Sequence, residues 1–246
     1  MKKIRWEISL GVILIISSVI LYFSHFLIFH DRHHIFIYLL GDVAFVPIEV
    51  LIVTLIIHRL LSEKEKQNTL QKLNMVIGAF FDEVGVELLE YLIEFDDNFE
   101  KIRKNLIIEK DWKRKDFLKT KRNLKNYNYG VDSKKGDLES LREILINKRT
   151  FLLRLLENPV LLEHQSFTNL LWAVFHFADE LSHRKNTKNL PQSDYEHLSG
   201  DMERVYIHLI GEWLDYMRYL QKSYPYLFSL ALRTNPFDPE AEITVK

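Results

Sequence analysis

The chain has 246 residues, with 33 Lys and Arg against 34 Asp and Glu, so its overall charge carries no bias toward nucleic acid. It contains no cysteine, which excludes disulfides, thiolate metal sites and cysteine nucleophiles. Eight glycines and six prolines, about half the usual usage, suit long helices with few tight turns.

Residues 8–29, ISLGVILIISSVILYFSHFLIF, contain no Asp, Glu, Lys or Arg. A helix of that length reaches roughly 33 Å, enough for a hydrocarbon core of about 30 Å. MKKIR ahead of it would suit a secretory signal, but the apolar run is too long and no small-residue cleavage site follows. A second apolar run at 35–61 begins after the short segment HDRHH (30–34). This predicts a transmembrane hairpin in residues 1–61, with spans at about 8–29 and 35–58. Lys2, Lys3 and Arg5 precede the first span, and His58, Arg59, Lys64 and Lys66 follow the second. The positive-inside rule then places both termini in the cytoplasm of a multi-pass protein of the cell (plasma or inner) membrane, with Arg32 as a minor opposing charge. His30, His33 and His34 read as a polar interfacial loop rather than a metal site.

The second run holds two acids, Asp42 and Glu49, seven residues apart and hence on one helix face. Gly11, Ser18 and His25 repeat at the same interval on the first. A hairpin symmetric about 33–34 puts His25 level with Asp42, Ser18 with Glu49 and Gly11 with Ile56. Acids inside a membrane are costly and find partners, and helix pairs in lipid use polar side chains as glue. The expectation is a His25–Asp42 pair and a Ser18–Glu49 hydrogen bond. Its alternative is a proton or cation path lined by Asp42 and Glu49 in an oligomer. Pro47 leaves the carbonyl of Val43 without its helical donor.

From residue 62 to 246 the chain reads as a cytoplasmic helical domain. SEKEKQNT (62–69) contains no Pro or Gly, so the second span can continue as a stalk. Apolar residues from Leu70 to Phe99 recur at three- and four-residue spacing and predict an amphipathic helix. Glu83, Glu87, Glu90 and Glu94 share its other side as a solvated face.

Residues 101–136 hold 13 Lys or Arg against four acids. Part of this segment reads as helix and NYNYGVDSKKGD as a loop. No nucleic-acid-binding signature accompanies the charge. The readings are solvation, docking onto the acidic helix at 83–100, or contact of Lys113, Arg114, Lys115, Lys119, Lys121 and Arg122 with anionic lipid headgroups, each gaining about 1 kcal/mol near such a surface.

Further helices are predicted over about 137–157, opened by Asp137; 166–186, with Ser166 as N-cap; 193–223; and 226–233. TNPFDP (234–239) breaks the last, and the tail is expected to fray. The fold class is all-α, a two-helix hairpin followed by a bundle of about five to six helices. On 166–186, Trp172 lies opposite the apolar face, which predicts a surface covered by another helix or another subunit. His176, Glu180 and His183, at i, i+4 and i+7, share the polar face, and His208 and Glu212 are again four apart. A metal-dependent bundle enzyme can be drawn from these five, although only one Glu-x-x-His step is present. Phosphate-binding, dinucleotide, serine-hydrolase and zinc-protease motifs are absent. The favoured expectation is a non-enzymatic interaction or regulatory module in lipid, homo-oligomeric, with no particular cofactor implied.

Overall fold

The turn between the two apolar helices is tighter than HDRHH suggests. In the computed structural model, which describes residues 2–125 and 127–244, helix α1 runs Lys2–Phe29 and α2 runs Arg32–Phe80. His30 takes a left-handed backbone (φ 50°) and its N–H donates to the Phe26 carbonyl at 2.9 Å, which ends α1. Asp31 then accepts from the N–H groups of His33 and His34 and satisfies the first turn of α2. Arg32, His33 and His34 are therefore helical, and the turn is two residues long. Both helices expose their apolar side chains: no residue is buried in the most apolar stretch of either. The helical hydrogen-bonding pattern of α2 persists through Pro47 and through 62–69.

The chain divides into two compact units, Met1–Lys66 and Gln67–Lys246. In the second, the expected amphipathic helix is interrupted twice. A π turn at Phe81–Gly85 separates α2 from α3 (Val86–Ile93), and a tight segment around Asp96 precedes α4 (Phe99–Leu106). The π turn keeps Phe80, Phe81 and Val84 on the buried side, and Phe81 stacks on Tyr216 at 5.0 Å. Helices α5 (Arg114–Lys125), α6 (Leu138–Leu156), α7 (Gln165–His183), α8 (Gln192–Ser223) and α9 (Pro225–Arg233) complete the bundle. The fold is all-helical. Among the described residues the only extended pairing is an isolated bridge between Asp96 and Val131.

Helix α8 is the axis of the unit, packed by α3, α5, α7 and α9, while α6 covers α7. Its Leu198, Met202, Val205, Leu209, Trp213 and Met217 recur at helical spacing and are all buried. Asp137 caps α6 as expected, accepting from Glu139 and Ser140 N–H. The cap of α7 is His164 rather than Ser166: its Nδ1 accepts from the Phe167 N–H at 3.3 Å. The start of the tail does not fray. Asn235 donates to the Leu106 carbonyl at 3.1 Å, and Phe237 is buried edge-on against Trp213. Burying such a ring contributes about 1.5–3 kcal/mol, enough to hold a short segment down.

Candidate functional site

Within the hairpin, Ser18, Tyr22, His25, His34, Tyr38 and Asp42 line one cleft of about 670 Å³. The hydrogen bond to Asp42 comes from the Tyr22 hydroxyl, at 3.4 Å. His25 instead lies against Phe29 and His34, and its buried Nδ1 has no hydrogen-bond partner among the described residues. Among the described residues no hydrogen bond joins His25 to Asp42 or Ser18 to Glu49. The physical reason is register. A hairpin centred between Phe29 and Arg32 puts Asp42 level with Val19 and Glu49 level with Val12. Ser18 is thus brought to Asp42 rather than to Glu49, and Glu49 is left exposed.

The basic segment is partly committed to its own domain. Lys121 pairs with Asp215 of α8, and Lys135 with Asp97. Arg114 lines a cleft against α8. Lys113, Lys115, Lys119 and Arg122 are exposed. The acidic face of α3 is met from elsewhere: Lys148 of α6 lies 3.6 Å from Glu83 and 4.0 Å from Glu87.

His176, Glu180, His183, His208 and Glu212 are not brought to one point. His183 donates from Nδ1 to the Asp179 carbonyl at 2.8 Å, and Glu180 is held by Arg184 at 2.9 Å. Among the described residues no group of three or more His, Asp or Glu is arranged to hold a metal ion. The Glu180 carboxylate is occupied by the Arg184 guanidinium, which repels a metal cation. Arg184 spans the end of α7 and the start of α8, bonding Asp194 with both nitrogens at 3.0 and 2.6 Å. It holds the carboxyls of Asp194 and Glu180 below their usual range, chiefly through those hydrogen bonds.

Three residues absent from the predicted site, Asp201, His197 and Arg204, organise this face. Asp201 is buried on α8, and one of its oxygens lies 3.4 Å from His176 Nε2 and 3.3 Å from His197 Nε2. Its other oxygen accepts from Arg204 at 2.9 Å. The available signal was an acid set between Leu198, Met202 and Val205 on an apolar seam, with His197 one turn earlier.

Glu212 is buried to 3% exposure, and among the described residues nothing donates a hydrogen bond to it. His208, one turn before it, is pushed below its usual value by burial, opposed by the Glu212 charge and reinforced by Arg204. Glu212 lines a cleft of about 550 Å³ between the end of α2 and α8.

Two family models cover most of the chain. Residues 2–61 match the model described as MJ1433, N-terminal helical domain, and residues 69–233 the one described as Uncharacterized protein MJ1433, C-terminal helical domain. A Methanocaldococcus jannaschii protein carrying the name Uncharacterized protein MJ1433 is 49% identical over 243 residues, 99% of this chain and 98% of its own length. The chain belongs to the MJ1433 family. The two MJ1433 segments leave 62–68 between them, and the division between the compact units, Lys66 to Gln67, falls inside that interval. The hairpin cleft lies in the N-terminal MJ1433 segment. The Asp201 cluster and the Glu212 cleft lie in the C-terminal one. No solved structure matches the chain.

Proposed function

We propose that this chain is a two-pass integral protein of the cell membrane, with both termini cytoplasmic, whose helical domain is a non-enzymatic interaction or regulatory module. The observation that carries the reading is the exposure of the hairpin. Ile, Leu, Val and Phe side chains stand exposed along both helices from Ile8 to Leu61, far beyond the few hundred Å² of apolar patch that a water-soluble monomer tolerates. Helix length and composition suit a bilayer core, and the short turn carries the polar His30–His34 segment to one interface. The exposed lysines of α5 suit anionic headgroups at the cytoplasmic surface. Alkaline carbonate extraction of membranes tests the reading. The protein is expected to stay in the pellet, and its release into the supernatant would refute it.

A second reading is favoured by Glu49, which is exposed and has no hydrogen bond or ion pair among the described residues. In lipid such an acid requires a partner, and a second copy supplies one. The chain would then be an oligomeric channel or transport accessory with Asp42 and Glu49 on its path. Ion flux in proteoliposomes that falls in Asp42→Asn and Glu49→Gln supports this reading, and the absence of flux retires it.

A further inference from the structure

The cleft between the end of α2 and α8 combines features that a solvated surface does not need. Its α2 side presents Leu70, Leu73 and Ile77 together with one amide, Asn74. Its buried acid is Glu212, a carboxylate at 3% exposure with no hydrogen-bond partner among the described residues. Its side-chain oxygens open onto the cleft rather than being sealed in the core, so a donor entering the cleft can reach them. One turn before it on the same helix, His208 has its proton affinity lowered by burial, which weakens it as a counter-charge.

The other charged residues of the cleft sort cleanly. Asp215 is engaged by Lys121 and by Arg218 at 3.0 Å. Arg114 and Lys222 are exposed, and among the described residues neither has an ion pair. One buried acid and two cations that have no ion pair among the described residues thus line a single cavity of about 550 Å³, within the usual range for small-molecule sites. A purely anionic ligand would be repelled by Glu212, and a purely cationic one would leave Arg114 and Lys222 unanswered.

We propose that this cleft binds a small zwitterion, its protonated amine on Glu212 and its acidic group on Arg114 and Lys222, with its carbon skeleton against Leu70, Leu73 and Ile77. Two sources carry that chemistry, an amino-phosphate lipid headgroup and a free α-amino acid. The assignment stands on the soluble unit alone and does not depend on where the hairpin resides.

Titration calorimetry on the full chain in detergent tests it, with O-phosphoethanolamine as the headgroup probe and L-norvaline as the amino-acid probe. At least one is expected to bind with a dissociation constant below about 1 mM, and Glu212→Gln weakens it by at least about ten-fold. The double variant Arg114→Ala, Lys222→Ala weakens it as well. Ethylammonium and inorganic phosphate, each with half of the charge pattern, bind more weakly than the zwitterion. Absence of heat with both zwitterions overturns the assignment. So does an affinity unchanged in Glu212→Gln, or equal binding of ethylammonium. If Glu212→Gln does not fold, the double variant decides alone, since both of its side chains are exposed and outside the core.

Discussion

His176 of α7 and His197 of α8 bring their Nε2 atoms to 3.4 and 3.3 Å from the same oxygen of Asp201, an oxygen that accepts no hydrogen bond among the described residues. One buried carboxylate thereby ties two helices, while Arg204 holds its second oxygen. Asp201→Ala is expected to destabilise the domain by about 1–3 kcal/mol in denaturant unfolding. A double-mutant cycle between His176 and Asp201 should give a coupling of about 0.5 kcal/mol or more. Strict additivity would mean that the contact carries no energy.

Arg184→Ala removes the bidentate bond to Asp194 and the bond to Glu180 together. The folded carboxyls sit below their unfolded values, so their contribution is present above those values and fades as pH falls through the folded ones. The variant is therefore expected to be less stable than wild type at pH 7, by about 1–3 kcal/mol. The gap should narrow on acidification. Unfolding curves at pH 7 and pH 3 check both statements.

Asp96 runs the other way. Burial raises its proton affinity, and the N–H groups of Asn98 and Gly130 oppose that only in part. A carboxyl raised in the folded state stabilises below its unfolded value and loses that contribution as pH rises through the folded one. Asp96→Asn keeps the accepting oxygen and removes the charge. It should raise the melting temperature at pH 7 and leave it unchanged near pH 3, which thermal scans at the two pH values resolve.

Two glycines predict opposite outcomes. A Cβ on Gly136 would meet the ring of Phe95 at 2.6–2.8 Å, and that ring is fully buried, so Gly136→Ala is expected to cost about 1–3 kcal/mol. A Cβ on Gly200, inside α8, meets nothing within 4 Å. Gly200→Ala should stabilise by about 0.4–1 kcal/mol through helix propensity. Denaturant midpoints of the two variants test the contrast.

Because the chain has no cysteine, any introduced thiol is its sole one. In intact cells, a membrane-impermeant maleimide is expected to label Asp31→Cys and to label Glu240→Cys only after permeabilisation. The reverse pattern would invert the proposed topology.

The sequence by itself determined the helical class and where most helices lie. Apolar spacing marked α6, α7, α8 and α9 to within a few residues, and Asp137 announced the cap it makes. Those are local properties, set by which face must be buried and which backbone donors need a partner. Only the tertiary structure decided which side chains meet. The hairpin pairs failed by a register of three residues per helix, because the left-handed His30 shortened a turn that composition could not time. Trp172, expected to be covered by another helix or another subunit, is 58% exposed within this chain, so among the described residues no helix of its own chain covers it. The five candidate metal ligands stayed apart, while Asp201 gathered two histidines from two helices. Helical spacing fixes a residue's direction on its own helix. The partner that fills that direction comes from a crossing set by core packing between distant segments, which no single stretch of sequence contains.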